Sequence, residues 1–172
     1  LIPVLSETMA EFDNFTLINA DIMDVDIAAL VKEQFGDEPF IVAANLPYYI
    51  TTPIVMSLLE SGTDVRSMTL MVQKEVALRM AAGVGKDYGA LSVAVQYYTR
   101  PEIVCRAEPH CFMPQPKVAS VAIKLDVLKE PAVKVKDTGV FFKVVKSAFG
   151  QRRKTLVNSL AGSPYIKIEK AA

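Results

Sequence analysis

A short polar and aromatic segment follows an apolar run and could carry chemistry on an amino group. It consists of Asn45, Leu46, Pro47 and Tyr48, directly after residues 40–44. The exocyclic amine of a flat heterocycle such as adenine is a weak nucleophile, because its lone pair is delocalised into the ring. Hydrogen bonds from its N–H groups to the Asn45 side-chain oxygen and the Leu46 carbonyl oxygen would localise that lone pair. Pro47 fixes φ and donates no hydrogen bond, and an extruded base can stack on Tyr48. The simpler alternative is a proline turn after a buried strand.

A second aromatic residue, Phe112, lies in a proline-rich segment together with Pro109, Pro114 and Pro116. Prolines at this density favour an ordered, extended loop without a long helix. Such a loop can hold an aromatic ring in one place. The alternative is a phenylalanine that fills the core. Four tyrosines carry no pattern that sets them apart and are expected to be packing residues: Tyr49, Tyr88, Tyr97 and Tyr98.

The elements that would position these residues alternate between strands and helices over the first two-thirds of the chain. Apolar periodicity predicts helices over 1–10, 27–35, 53–60, 75–82 and 91–98, and strands over 15–19, 40–44, 67–72, 102–105 and 118–125. Thr52 is predicted to cap the helix that Pro53 begins. This order predicts a mostly parallel sheet covered on both faces, whose ligands bind beyond the carboxyl ends of the strands.

An acidic residue, Asp21, follows the first predicted strand and falls at the same edge of the sheet as Asn45. A carboxylate at this edge can accept a hydrogen bond from the amino group of an adenine, and Ile22 can cover the face of the ring. The alternative for Asp21 is a helix cap or an ordinary loop acid. Asp24 or Asp26 is expected to cap the helix that begins at Ile27.

Charge is unevenly distributed, although 19 basic and 19 acidic residues cancel. Residues 1–60 contain ten acidic residues and one basic residue, whereas residues 141–172 contain seven basic residues and one acidic residue. A basic segment on such a body indicates binding to a phosphate backbone; the alternative is a solvated helix face. Phe149, Leu156 and Leu160 predict a helix that packs on one side and exposes its cations on the other. The cations expected to contact a phosphate backbone are Arg152, Arg153, Lys154, Lys143, Lys146 and Lys117.

Composition and spacing argue against several other classes of protein. Half of the residues are apolar (51%), which suits one substantial core. Cys105, Cys111 and the single histidine, His110, cannot complete a four-ligand zinc site, so no metal is expected. Residues 40–59 are uncharged and long enough to cross a bilayer, but two prolines within them would break such a helix. We therefore expect a cytoplasmic protein with free thiols and no membrane partner.

Five segments, in order along the chain, resemble the ribosomal RNA adenine dimethyltransferase family. They are Asn45–Tyr48 (N-L-P-Y), Gln73–Met80 (Q-K-E-V-A-L-R-M), Tyr88–Val93 (Y-G-A-L-S-V), Phe112–Ser120 (F-M-P-Q-P-K-V-A-S) and Ala148–Leu156 (A-F-G-Q-R-R-K-T-L). Five ordered matches are far more specific than one. The second segment favours the enzymes of the small ribosomal subunit over the related methylases that modify large-subunit RNA.

The resemblance implies an α/β fold with a Rossmann-like class I methyltransferase sheet over residues 1–128. The start of a small, all-α RNA-binding domain would then occupy residues 129–172. It also implies methyl transfer from S-adenosylmethionine to the N6 atoms of two adjacent adenosines in small-subunit ribosomal RNA, within a pre-30S particle, by a monomeric enzyme. The implied base-binding residues are Asn45, Leu46, Pro47, Tyr48 and Phe112, and the implied cofactor residues are Asp21, Ile22 and Asn45.

Two features of this family do not occur in the sequence. The family has a glycine-rich loop after its first strand and an acidic residue after its second strand, both of which contact the cofactor. Leu1 falls inside what resembles the helix after the second strand. We therefore expect that further strands precede Leu1, that more of the helical domain follows Ala172, and that this chain alone binds the cofactor poorly.

Other functions stay open at this point. A DNA adenine methyltransferase would share the N-L-P-Y segment. A non-catalytic RNA-binding or ribosome-assembly protein, or a relative of the mitochondrial transcription factors, could use the same fold as a scaffold. A large-subunit ribosomal RNA adenine methylase would share the N-x-P-Y and F-x-P-x-P elements.

Overall fold

The computed structural model describes residues 1–151 and 153–166, which form seven α-helices, a short 3-10 turn and one sheet. The helices are α1 (Ile2–Thr8), α2 (Ile27–Phe35), α3 (Thr51–Glu60), α4 (Lys74–Met80), α5 (Ala90–Tyr98), α6 (Thr138–Phe149) and α7 (Leu156–Ala161). The strands are β1 (Phe40–Asn45), β2 (Val65–Gln73), β3 (Thr99–Ala107) and β4 (Ser120–Val127), and the 3-10 turn is Pro109–Cys111. The predicted α/β class is confirmed.

The four strands lie in the order β1-β2-β4-β3. β1 and β2 are parallel, whereas β4 runs antiparallel to both β2 and β3. β1, β2 and β3 therefore run in one direction, in agreement with the predicted mostly parallel sheet, and β4 alone runs against them, which the sequence patterns did not predict. A parallel pair needs a crossover, and α3 provides one between β1 and β2. No α-helix lies between β3 and β4, so the chain turns back and β4 inserts beside β2.

The core is built on the two central strands. Met68, Leu70 and Val72 of β2 are fully buried, and Ile123 and Leu125 of β4 are as well. Burying each side chain of this size stabilises the fold by about 1.5–3 kcal/mol. β1 lies at the edge of the sheet, and its side chains alternate between half-buried and exposed. The buried side chains therefore fix the register between β2 and β4, and β1 and β3 pair with the outer sides of these two strands.

Residues 15–19 form no strand, contrary to the prediction. Phe15 and Ile18 are 37% and 48% exposed, and the Phe15 backbone N–H donates to the Phe12 carbonyl at 3.2 Å. A strand needs a neighbour for its backbone groups, and within the described part of the chain β1 pairs only with β2. The apolar pattern alone was not enough to define a strand here.

The start of α3 also differs from the prediction. The helix begins at Thr51, and Thr52 does not cap it. The Thr51 hydroxyl instead donates to the Pro47 carbonyl at 3.1 Å, which ties the helix to the preceding turn. Pro53 still lies in the first turn, where backbone N–H groups have no partner within the helix and its missing N–H costs nothing. The α2 boundaries agree with the prediction, and Asp26 is its cap, accepting from Ala29 N at 3.0 Å.

α6 packs against α5 through a cluster of aromatic rings. Tyr97, Tyr98, Phe141 and Phe142 lie with ring centroids between 4.8 and 5.9 Å apart. The predicted packing role of Tyr97 and Tyr98 is confirmed. Burial raises the pKa of the Tyr98 phenol, and the nearby Glu60 carboxylate raises it further. None of the helices in the described ranges is long and apolar enough to span a membrane.

The basic segment does not lie on one helix, contrary to the prediction. α6 ends at Phe149, and α7 begins at Leu156 with Thr155 as its cap. Gly150 ends the first helix, and the Thr155 hydroxyl accepts from Asn158 N at 3.4 Å to start the second. Phe149 and Leu156 are consequently 40% and 59% exposed. A domain boundary near residue 128 remains a prediction.

Candidate active site

A cleft of about 350 Å³ gathers the residues that the sequence singled out in two distant segments. It is lined by Asn45, Leu46, Pro47, Tyr48, Phe112, Pro114 and Pro116. The turn after β1 therefore meets the loop before β4. The proposed acceptors and both proposed stacking rings border the same space.

The turn after β1 begins with two residues that differ in burial. Asn45 is exposed at the last position of β1, next to Met71 in the parallel register. The Leu46 side chain is 8% exposed, and its backbone N–H donates to the Met71 carbonyl at 3.2 Å. Among the hydrogen bonds of the described residues, none involves the Asn45 side chain or the Leu46 carbonyl oxygen. Both oxygens remain available as acceptors.

The Pro47 carbonyl, in contrast, is fully engaged. It accepts from the Thr51 hydroxyl at 3.1 Å and from Ile50 N at 3.2 Å. Thr51 is 2% exposed, so this contact is shielded from water. The two bonds fix the turn against the first residues of α3. The Leu46 carbonyl on one side of the proline is therefore free, while the Pro47 carbonyl points into the helix.

The hydroxyl group of Tyr48 is held by a hydrogen bond. Its hydroxyl lies 2.9 Å from the Ser120 hydroxyl, and Ser120 is 1% exposed. Tyr48 as a whole is 37% exposed and lines the cleft, so it keeps surface on which a flat ligand can stack. Its neighbour Tyr49 is 84% exposed, and its predicted packing role is wrong. Adjacent side chains on such a turn diverge, and only Tyr48 meets a buried partner.

Phe112 lies in the loop between β3 and β4 and is half-buried. The 3-10 turn Pro109–Cys111 precedes it, and its backbone N–H donates to the Pro109 carbonyl at 3.2 Å. A cis peptide bond joins Met113 to Pro114. The loop is ordered without a long helix, in agreement with its proline content.

The predicted cofactor residues Asp21 and Ile22 do not line this cleft. Asp21 is exposed, and one of its carboxylate oxygens accepts from Met23 N at 2.9 Å, which closes a local turn. Ile22 is 37% exposed. One carboxylate oxygen of Asp21 therefore acts as that of an ordinary loop acid, which was the alternative to cofactor binding. A role in cofactor binding remains a prediction.

The predicted RNA-binding cations in the described residues lie in three places. Lys143 and Lys146 are exposed on α6, and the Lys146 ammonium lies 4.4 Å from the centre of the Tyr165 ring. Arg153 and Lys154 are exposed in the turn before α7, and Lys117 is exposed next to the cleft. Arg152 lies outside the described residues. The ion pairs of the described ranges involve other lysines, so no carboxylate within those ranges pairs with these five cations.

Two of the matched segments serve the packing of α4 and α5. The Ser92 hydroxyl accepts from Gly89 N at 3.0 Å and donates to the Arg79 carbonyl at 2.6 Å. The Gln96 amide donates to the Met80 carbonyl at 2.9 Å. These bonds close the end of α4 and the start of α5. The segments Gln73–Met80 and Tyr88–Val93 thus have a structural role.

Sequence reasoning missed two residues of the site, Ser120 and Thr51. Both are buried hydroxyls that hold the turn after β1. A signal for Ser120 was present, since it ends the matched segment that begins at Phe112. Thr51 gave no signal distinct from an ordinary residue at a helix start.

Comparison with known proteins identifies relatives over almost the whole chain. A family model described as ribosomal RNA adenine dimethylase matches residues 1–167. The protein "Ribosomal RNA small subunit methyltransferase A" of Lachnoclostridium phytofermentans is 53% identical over 172 residues, which are 99% of this chain and 59% of that protein. The chain thus spans 59% of that relative's length.

Two solved structures resemble the fold. A dimethyladenosine transferase from Plasmodium falciparum superposes with a TM-score of 0.74 at 26% identity, covering 92% of this chain and 55% of that chain. The 23S ribosomal RNA methyltransferase ErmE superposes with a TM-score of 0.71 at 25% identity, covering 92% and 61%. The sheet described above therefore has the Rossmann-like arrangement of methyltransferases.

Proposed function

This chain belongs to the ribosomal RNA adenine dimethylase family, and on that premise we propose that the protein dimethylates two adjacent adenosines of small-subunit ribosomal RNA at N6. The methyl donor would be S-adenosylmethionine. One observation carries the proposal: two unengaged oxygen acceptors and two aromatic rings border the same cleft. That combination suits an amino group on a planar base.

The acceptors account for the activation of the amine. The Asn45 side-chain oxygen and the Leu46 carbonyl would each accept one N–H of the adenine amino group. These bonds favour a pyramidal nitrogen and localise its lone pair. The amino proton becomes acidic as positive charge develops on nitrogen, so no strong general base is needed. Fixed positioning of the amine supplies most of the acceleration.

The aromatic rings account for holding the base. An adenosine must leave its stack before its amino group can enter the cleft, which costs a few kcal/mol. Stacking on Tyr48 and Phe112 would return about 1–3 kcal/mol for each ring. Pro47, Pro114 and Pro116 keep the walls of the cleft stiff.

The described residues offer a partial fit to S-adenosylmethionine. Asp21 keeps one carboxylate oxygen outside its local turn, and Ile22 and Asn45 are exposed. A carboxylate and an apolar cover suit the amino group and the ring face of the cofactor's adenine. When bound, the cofactor supplies an electrophilic methyl carbon attached to sulfur. Asp21 and Ile22 would hold its adenine, and Asn45, which also lines the cleft for the base, would contact it.

The cations would bind the RNA backbone. Phosphates would be contacted by Lys143 and Lys146 on α6 and by Arg153 and Lys154 in the turn before α7. Arg152, which precedes Arg153 in the sequence, would do the same. Lys117 directly follows Pro116 of the cleft and would meet a phosphate close to the extruded base. Residues 129–172 would then begin an RNA-binding domain. We further propose a pre-30S particle as the substrate, a monomeric enzyme and a cytoplasmic location.

The proposal is tested by incubating the full-length protein with S-adenosylmethionine and unmethylated 30S particles, then digesting the RNA and measuring N6,N6-dimethyladenosine by mass spectrometry. We expect dimethylation of two adjacent adenosines in small-subunit RNA. Preferential methylation of large-subunit RNA would favour the activity named for the ErmE structure, and equal methylation of duplex DNA would favour a DNA enzyme. RNA binding without any methyl transfer would favour an assembly protein.

A further inference from the structure

We infer that Ser120 is a positioning residue that sets the orientation of the Tyr48 ring in the cleft. Ser120 borders no part of the cleft itself and acts through Tyr48 alone. The inference rests on the proposed function, because a ring orientation matters most when a base must be held at a fixed angle to the two acceptors.

The Ser120 hydroxyl is fixed by the centre of the sheet. Ser120 is the first residue of β4, where it pairs with Gln73 of β2 and Ala107 of β3. The residue before it is held as well, since Lys74 N donates to the Ala119 carbonyl at 3.0 Å. With 1% exposure, the Ser120 side chain is also shielded from solvent.

The Tyr48 ring lacks a comparable support of its own. Tyr48 lies in a turn between β1 and α3 and is 37% exposed, whereas Ser120 is 1% exposed. Among the described residues, the 2.9 Å contact with Ser120 is the one hydrogen bond of its side chain. The two torsions of the ring are thus restrained at the far end by a group anchored in three strands.

Loss of that contact should affect the orientation of the bound base more than the affinity of the enzyme for RNA. A neutral hydrogen bond of this kind corresponds to about a fivefold to tenfold effect. A base that tilts with the ring would meet the acceptors at Asn45 and Leu46 in poor geometry, so kcat should fall. RNA affinity depends mainly on phosphate contacts, so the KM for RNA should change by less than about twofold.

The experiment compares Ser120→Ala, Tyr48→Phe and the double variant in the full-length enzyme. Each single variant removes one of the two hydroxyl groups, and Tyr48→Phe keeps the aromatic ring. We expect kcat to fall about fivefold to tenfold in either single variant, and the double variant to be no slower than the slower single one. Additive losses, or a Tyr48→Phe enzyme with normal kcat, would overturn the inference.

Thr99→Val is the matched control. The Thr99 hydroxyl is also buried in the sheet and donates one hydrogen bond, to the Val95 carbonyl at 2.8 Å, but Thr99 pairs with Val127 at the other end of β4. Its kcat should stay at the wild-type value. An equal loss of kcat in this control would show that any weakening of the sheet is sufficient, and would contradict a specific role for Ser120.

A second measurement is independent of methyl transfer. Three-bond NMR couplings of the Tyr48 side chain report its χ1 rotamer in the wild type, in Ser120→Ala and in Thr99→Val. The inference predicts one rotamer in the wild type and averaged couplings in Ser120→Ala, with Thr99→Val unchanged. Averaged couplings in the wild type would overturn it. A different outcome is a wild type that shows no methyl transfer and a single Tyr48 rotamer, with averaged couplings in Ser120→Ala. That result would contradict the proposed function and support the positioning role of Ser120.

Discussion

Tyr48 and Phe112 line the same cleft although one follows β1 and the other precedes β4. The sheet explains this meeting. β1 and β2 are parallel, so both end at the same edge, and β4 runs antiparallel to β2, so it begins at that edge. The antiparallel pairing that sequence patterns did not predict therefore carries the Phe112 loop to the carboxyl ends of β1 and β2.

Phe112 should contribute to catalysis through its ring. Replacing Phe112 with alanine removes a stacking surface worth about 1–3 kcal/mol per base. We expect kcat/KM for RNA methylation to fall about tenfold or more, while Phe112→Tyr, which keeps the ring, stays close to wild type. Steady-state kinetics with the full-length enzyme measure both. Equal losses in the two variants would show that the ring is not what matters.

Arg153 and Lys154 should bind RNA by charge. Changing both to glutamine removes two exposed cations that have no carboxylate partner in the described structure. RNA affinity should fall, and the slope of log Kd against log salt concentration should become shallower by about 0.7–0.9 for each lost contact. Filter binding over a salt series measures this. Lys32→Gln, which breaks a surface pair with Asp37, is the control and should change neither quantity.

Asp137 should stabilise the helix that carries Lys143 and Lys146. Its side chain accepts from Val140 N at 2.8 Å and caps α6. Asp137→Ala should lower the free energy of unfolding by about 1 kcal/mol, and Asp137→Asn by much less, because asparagine caps almost as well. Urea denaturation of this chain measures the difference. A similar loss in both variants would mean that the charge matters rather than the cap.

Tyr98 should make stability sensitive to alkaline pH. Burial and the Glu60 carboxylate hold the pKa of its phenol above the ordinary value of 10.0. The neutral phenol is thus favoured in the folded state. This preference stabilises the folded state in full below the pKa that the phenol has in the unfolded chain. The stabilisation is lost as the pH rises through the pKa that the phenol has in the folded protein. Urea denaturation at several alkaline pH values should show a smaller loss of stability for Tyr98→Phe than for the wild type.

Local sequence signals predicted the elements that have local causes. α2 begins and ends where predicted because Asp26 caps it and Gly36, at φ 66°, ends it. β1 was predicted to within one residue from its apolar run. The strand at residues 15–19 was wrong because a strand depends on a neighbour, and no local pattern contains that neighbour. The break between α6 and α7 was missed because apolar spacing continued across Gly150.

The candidate site divides in the same way. The residues Asn45 to Tyr48 could be proposed from their chemistry, since acceptors and an aromatic face follow a strand. Phe112 could be linked to them only by family resemblance, because the contact depends on how β4 inserts into the sheet. Ser120 was missed because its role is a hydrogen bond to a residue far away in the sequence. Pairings of this kind are properties of the folded sheet.

The most direct test of the central claim is methyl transfer by Asn45→Ala in the full-length enzyme. Asn45 is exposed, and within the described structure its side chain makes no hydrogen bond, so its removal should leave the fold intact. Loss of one fixed polar group at the reacting amine should lower kcat about a hundredfold or more, with RNA affinity within about twofold of wild type because phosphate contacts carry it. A wild-type rate of N6,N6-dimethyladenosine formation in this variant would contradict the account.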